Sequence, residues 1–202
     1  MRKSKAETAE TRRRIVEIAA QAFKSKGIYA TGVGEIMAAA GLTHGGFYRH
    51  FSSKEQLIAE ACANSMDALI ESAETAAAAG RECFLRHLED FLSTEYRDDT
   101  LGGCPLVAMG SELVRADAET RQIASQGFME LIDVIAKWNP DDDLSAARAE
   151  GIFTLSSMIG AVTMSRIVDD SELSNQILNV ARERLAFSPA STSNRGSRSD
   201  VP

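Results

Sequence analysis

Residues 33–51 read VGEIMAAAGLTHGGFYRHF, and this stretch constrains the fold more than any other. Two short helical segments meet at Gly41-Leu42-Thr43. Ile36 and Ala40 fall on one face of the first segment. Gly41 permits the left-handed backbone that redirects the chain. Leu42 plugs the gap between the segments, and Phe47 and Phe51 anchor the second. The spacing predicts a helix-turn-helix whose second helix fits a major groove ~12 Å wide. Helical hairpins of this size are also common in all-α cores that bind no nucleic acid.

The flanking sequence has the same helical period. From Thr11, the residues Ile15, Ile18, Ala19, Ala22 and Phe23 define one apolar face, and Gly27 ends it. Ser52-Ser53-Lys54-Glu55 reads as a capping box opening a long helix to about Ala79. Further helices are expected from Gly80 to Asp98-Asp99, Leu106 to Arg115, Thr120 to Trp138 and Leu144 to Val168, with a last one after Asp170-Ser171. Ala is abundant and no strand pattern emerges, so the expected class is all-α. The 202 residues divide into a disordered N-terminus (1–10), a helix-turn-helix unit (11–54), a larger helical part (55–187) and a disordered tail (188–202). No window approaches ~18 uninterrupted apolar residues, so no membrane span or membrane partner is expected. Three widely spaced cysteines without a CxxC fit a reduced, cytoplasmic protein with no metal and no cofactor.

The net charge of −7 argues against a polyanion partner until it is divided. Residues 1–54 hold ten Lys/Arg against four acids, a net +6, and the remainder holds twelve against twenty-five, a net −13. Such asymmetry points to nucleic acid for the basic part, although a polar terminus also carries charge simply for solvation.

Taken together, residues 11–60 resemble the TetR/AcrR transcriptional regulators. The resemblance lies in the helix from Thr11, Gly27, Thr31 before Val33-x-Glu35-Ile36, and Ala40-Gly41-Leu42-Thr43. It continues through Gly46-Phe47-Tyr48-x-His50-Phe51 and Ser53-Lys54-Glu55-x-Leu57. Gly103-Cys104-Pro105-Leu106 and Ser111-Glu112-Leu113 look like one branch of that family. The resemblance implies a repressor that binds a palindromic double-stranded DNA operator as a homodimer and is released by a small-molecule effector. It places Thr43 and His44 at the start of the recognition helix, and Gly45 where bases or phosphates pass closely. It makes Thr31, Tyr48 and Lys54 phosphate contacts. Gly32 departs from the family, which usually has a Thr or Ser helix cap there.

Read from the residues alone, Lys54 follows an N-cap serine, so its ammonium and free N–H groups suit a phosphate. Arg49 has no acid nearby and is available to phosphate or guanine. His50 reads equally as a packing residue, and Arg12, Arg13 and Arg14 as flanking contacts or a solvated face.

Beyond Gly80, the resemblance implies effector binding and dimerisation. Candidate pocket residues are Phe84, His87, Phe91, Cys104, Met109, Phe128 and Trp138, and the same residues also fit plain core. Cys104 reads either as a reactive thiol or as a small buried apolar residue. The 144–168 helix is apolar on more than one face (Ile152, Phe153, Leu155, Met158, Ile159, Val162, Met164), as a helix at an interface or inside a core must be. No HExxH, GxSxG or P-loop is present, so an all-α enzyme has no support. A helical effector-binding protein without DNA binding is the remaining alternative.

Overall fold

A computed structural model describes residues 5–99, 103–138 and 143–185. These residues are helical, with no strand among them, in agreement with the expected class. The order is α1 (Lys5–Lys26), α2 (Val33–Ala39), a 3-10 helix (His44–Arg49) and α3 (Lys54–Ala78). Then follow α4 (Arg81–Phe91), α5 (Thr94–Asp98), α6 (Pro105–Leu113), α7 (Ala118–Ala136), α8 (Leu144–Ile167) and α9 (Ser171–Leu185).

Burial follows the helical period. Ile15, Ala19 and Phe23 of α1 meet Phe47, Phe51, Leu57 and Ala61 in a core shared by α1, α2, the 3-10 helix and the start of α3. The long α3 carries that core onward to α4, α6 and α7, and α7 carries it to α8. Two glycines set the helix crossings there. A Cβ on Gly127 of α7 would meet the Met66 side chain of α3 at 2.2 Å. A Cβ on Gly151 of α8 would meet the Ile132 carbonyl of α7 at 2.9 Å.

The structure corrects several expected boundaries. The first helix starts at Lys5, so residues 5–10 are ordered, supported by Thr11 Oγ1 donating to Glu7 O at 2.7 Å and an Arg13–Glu10 pair at 2.6 Å. The segment after Gly80 breaks at Leu92, because Ser93 caps a separate α5 and accepts from Tyr96 N. Ser53, not Ser52, caps α3 through Gln56 N at 3.1 Å, and the Gln56 carboxamide oxygen accepts from Ser52 N. The cap sits one residue along, and the Gln56 side chain reaches past it to the residue before the N-cap. Val162, open in the sequence to a core or an interface role, is fully buried within the chain. The tail from 188 onward and residues 1–4 lie outside the described residues.

Candidate functional site

The turn after α2 follows from its glycine. Gly41 takes φ +71°, Gly41 N donates to Ala38 O at 2.9 Å, and Leu42 N donates to Met37 O at 2.8 Å. This pair of bonds is a Schellman closure, and Leu42 packs its side chain against the core. The chain re-enters helix at Thr43, which caps a 3-10 turn rather than an α-helix. Tighter 3-10 winding is common in short pieces at this length. Phe47 is buried, stacks on Phe51 at 5.4 Å and meets Tyr48 edge-on at 5.2 Å.

Around this aromatic peg the remaining side chains face solvent. Thr43, His44, Gly45 and Arg49 are exposed, and Tyr48 is 71% exposed. The His44 ring lies over α2, where a Cβ on Gly34 would be 3.5 Å from it. The five residues Thr43, His44, Gly45, Tyr48 and Arg49 therefore form one polar surface on one short element.

Two sequence candidates are placed elsewhere. Thr31 is completely buried, and its hydroxyl donates to Gly27 O at 2.7 Å, so it ties the α1–α2 turn together and cannot reach a phosphate. Lys54 does not extend beside the free N–H groups of α3. Its ammonium turns inward and donates to Ile28 O at 2.9 Å and Thr31 O at 2.7 Å. Arg12 is likewise structural: it pairs with Glu60, donates to His50 O at 3.1 Å and lies 4.6 Å from the Phe51 ring centre. Arg13 pairs with Glu10 and Glu17, and Arg14 is exposed.

The profile of bacterial regulatory proteins of the tetR family matches residues 15–61, the stretch that builds this surface. Residues 15–61 belong to the tetR family. Over 59 residues the chain is 44% identical to the HTH-type transcriptional regulator AcrR of Shigella flexneri, covering 29% of this chain and 27% of that protein. It is 34% identical over 85 residues to the HTH-type transcriptional repressor KstR2 of Rhodococcus jostii, covering 42% and 41%. These alignments thus span well under half the length of either relative. The crystal structure of a TetR transcriptional regulator from Chloroflexus aurantiacus is similar over 90% of this chain and 94% of that one, with a TM-score of 0.73 and 28% identity.

Behind the tetR-family surface, α6 reaches back to it. The Glu112 carboxylate accepts from Ile28 N at 2.9 Å and Tyr29 N at 3.0 Å, and the Tyr29 hydroxyl donates to Arg115 O at 3.2 Å. Gly27 takes φ +91°, and a Cβ there would sit 3.0 Å from the Glu112 carboxylate. In the sequence Glu112 stands only within Ser111-Glu112-Leu113, with no role attached to its carboxylate. The latch went unseen because its partners are backbone N–H groups 84 and 83 residues away.

Four of the seven pocket candidates come together. Phe84, His87, Phe91 and Cys104 line a cavity of about 40 Å³ with Leu69, Leu155 and Met158. Trp138 stacks on Phe84 from outside, with ring centres 5.7 Å apart. Met109 is buried but does not line this cavity, and Phe128 is 37% exposed on α7. Burial pushes the Cys104 thiol up to about 11, so it stays protonated at neutral pH and reads as a packing group. Burial lowers His87 below its ordinary value, with Asp90 opposing, which favours the neutral ring. Among the described residues no His/Cys/Asp/Glu group is arranged to hold a metal, and no helix is long and apolar enough to cross a membrane.

Proposed function

We propose that the protein is a cytoplasmic DNA-binding transcriptional repressor. Two copies occupy a palindromic operator, and a small-molecule effector releases them. The DNA-reading unit runs from α1 to Lys54, and the remaining helices supply effector binding and dimerisation. One observation carries the reading: Thr43, His44, Gly45, Tyr48 and Arg49 project from a single turn whose apolar residue, Phe47, is sunk in the core. Polar side chains fixed by an aromatic anchor are what base-edge and phosphate contacts need. A repressor name on a relative, KstR2, supports the sign of regulation.

Dimerisation is supported by α8 and α9. Phe153 (55%), Met164 (56%), Leu173 (44%) and Val180 (47%) are exposed, and they border a groove of about 530 Å³ with Gly160 and Ile177. A Cβ on Gly160 would meet nothing within 4 Å, so a second helix can approach closely there. Two such faces complete a four-helix bundle across a two-fold axis, the symmetry that a palindrome requires.

Release is supported by α6. Its first turn starts at Cys104 in the cavity wall, and near its other end Glu112 holds the α1–α2 turn. A ligand that shifts α6 moves the latch, and by linkage operator and ligand then weaken each other by the same factor. The test is a gel shift and footprint on DNA upstream of the protein's own gene. A protected palindrome with a stoichiometry of two chains is expected; equal affinity for that DNA and random DNA refutes the reading.

A further inference from the structure

The inner cavity of about 40 Å³ has room for little more than a water molecule, so as it stands it holds no effector. Beside it lies a cleft of about 270 Å³, and Leu69, His87 and Phe91 line both. The cleft's other walls come from α1 (Lys24), α3 (Ser65, Ser72) and the segment from α4 to α6 (Asp90, Tyr96, Pro105). It therefore sits at the seam between the tetR-family stretch and the rest of the chain.

Two of its polar groups lack partners. Ser65 is 94% buried, and its hydroxyl finds no hydrogen-bond partner among the described residues. A buried orphan hydroxyl is costly unless something fills its valence. Lys24 is half-buried in the last turn of α1, and among the described residues its ammonium makes no hydrogen bond or ion pair. Tyr96 accepts from Cys104 N at 2.8 Å, so its own O–H remains available to donate. Leu69, Phe91 and Pro105 supply apolar lining to the same cleft, with the Tyr96 ring 4.5 Å from that of Phe91.

We propose that this seam cleft is a ligand site for a small apolar monocarboxylate, whose charge meets Lys24 and Ser65 and whose body lies on Leu69 and Phe91. The inference deepens the effector half of the reading above and rests on it. One negative charge fits and two do not, because among the described residues Lys24 is the only Lys or Arg lining the cleft, and Asp90 lines it too. The neutral His87 ring adds no second positive charge. A ligand here ties α1 directly to α3, α5 and the start of α6, so it bears both on the orientation of the DNA-reading unit and on the α6 latch.

Calorimetric titration of the full chain with benzoate and hexanoate, each against its amide, tests the assignment. Both acids should bind saturably at one site per chain, and ~10-fold more tightly than benzamide and hexanamide, as a charge-assisted contact implies. Lys24→Gln should remove that preference and leave the amides unchanged. Ser65→Ala should weaken the acids while leaving the free protein as stable or more stable, since it deletes an orphan hydroxyl. Equal binding of acids and amides, acid binding that survives Lys24→Gln, or no saturable binding at millimolar concentration overturns the proposal. Operator affinity measured with saturating benzoate separates the two readings. Lys24-dependent binding with unchanged operator affinity keeps the site and removes the effector role.

Discussion

The 3-10 helix and the α8–α9 face solve opposite problems. On the 3-10 helix, apolar Phe47 is sunk in the core and polar Thr43, His44 and Arg49 face outward. On α8 and α9, Leu155, Met158 and Leu178 are buried, yet Phe153, Met164 and Val180 still face outward. The first surface is complete in one chain and waits for a charged, hydrated partner. The second leaves apolar area in water, which only another apolar surface removes. A polar surface built on one anchor tolerates changes at its rim but not at the anchor; an apolar surface tolerates neither sign of charge anywhere.

The largest expected effect is at the anchor. Phe47→Ala removes a fully buried ring stacked on Phe51 and should cost about 3–5 kcal/mol. Denaturant unfolding should show the loss, and operator binding should fall with it. Next comes Phe153→Glu, which puts a charge on a side chain that is 55% exposed in the single chain. Sedimentation should show monomers with unchanged helix content. Palindrome affinity should drop towards that of a single half-site, as two linked contacts become one. A stable dimer of this variant would remove the α8–α9 assignment.

Lys54 and His44 sharpen the comparison within the DNA-facing end. Lys54→Ala leaves the Ile28 and Thr31 carbonyls without their donor and should destabilise the fold by ~1–3 kcal/mol. With the ammonium turned inward, the salt slope of DNA binding should change by less than one ion. Arg49→Ala, on an exposed side chain, should lower that slope by about one. His44→Ala should leave stability unchanged, weaken operator by ~1–3 kcal/mol and leave random DNA nearly untouched. A full one-ion loss for Lys54→Ala would restore that residue to the phosphate contacts.

How legible these regions were follows from the range of the interactions. The Gly41 turn involves residues 37–42 and Phe47 meets Phe51 four residues on, so local spacing sufficed. Thr31 and Lys54 failed because their partners lie on the α1–α2 turn, and a free hydroxyl and a satisfied one have the same sequence. On α8 the apolar set is legible in the sequence but its division between core and surface is not. Val162 packs inward and Phe153 outward, and a helix apolar all round does not say which face meets its own chain. Glu112 carried no signal, since a carboxylate aimed at distant backbone N–H groups follows no spacing rule. Phe128 shows the converse: an aromatic in a helical stripe suits a pocket wall or a core, and this one lies at the surface.

The smallest effect tests whether the DNA-facing end is tuned for stability at all. Gly32 caps α2 with φ −87° and ψ 145°, and no side chain bonds to the helix start. That backbone is open to any residue, and a Cβ there would meet nothing within 4 Å. Gly32→Ser should therefore let a hydroxyl accept from Glu35 N, which now bonds only to Gly32 O at 3.1 Å. The better cap and the stiffer unfolded chain together should add ~0.5–1 kcal/mol, or ~1–4 °C in Tm. Operator affinity should hold or rise slightly, because a better-capped α2 is held in place before binding rather than during it. If instead Tm rises and operator affinity falls, the freedom at Gly32 is itself part of how the 3-10 helix seats on DNA. The contrast with α8–α9 would then be one of motion as well as polarity.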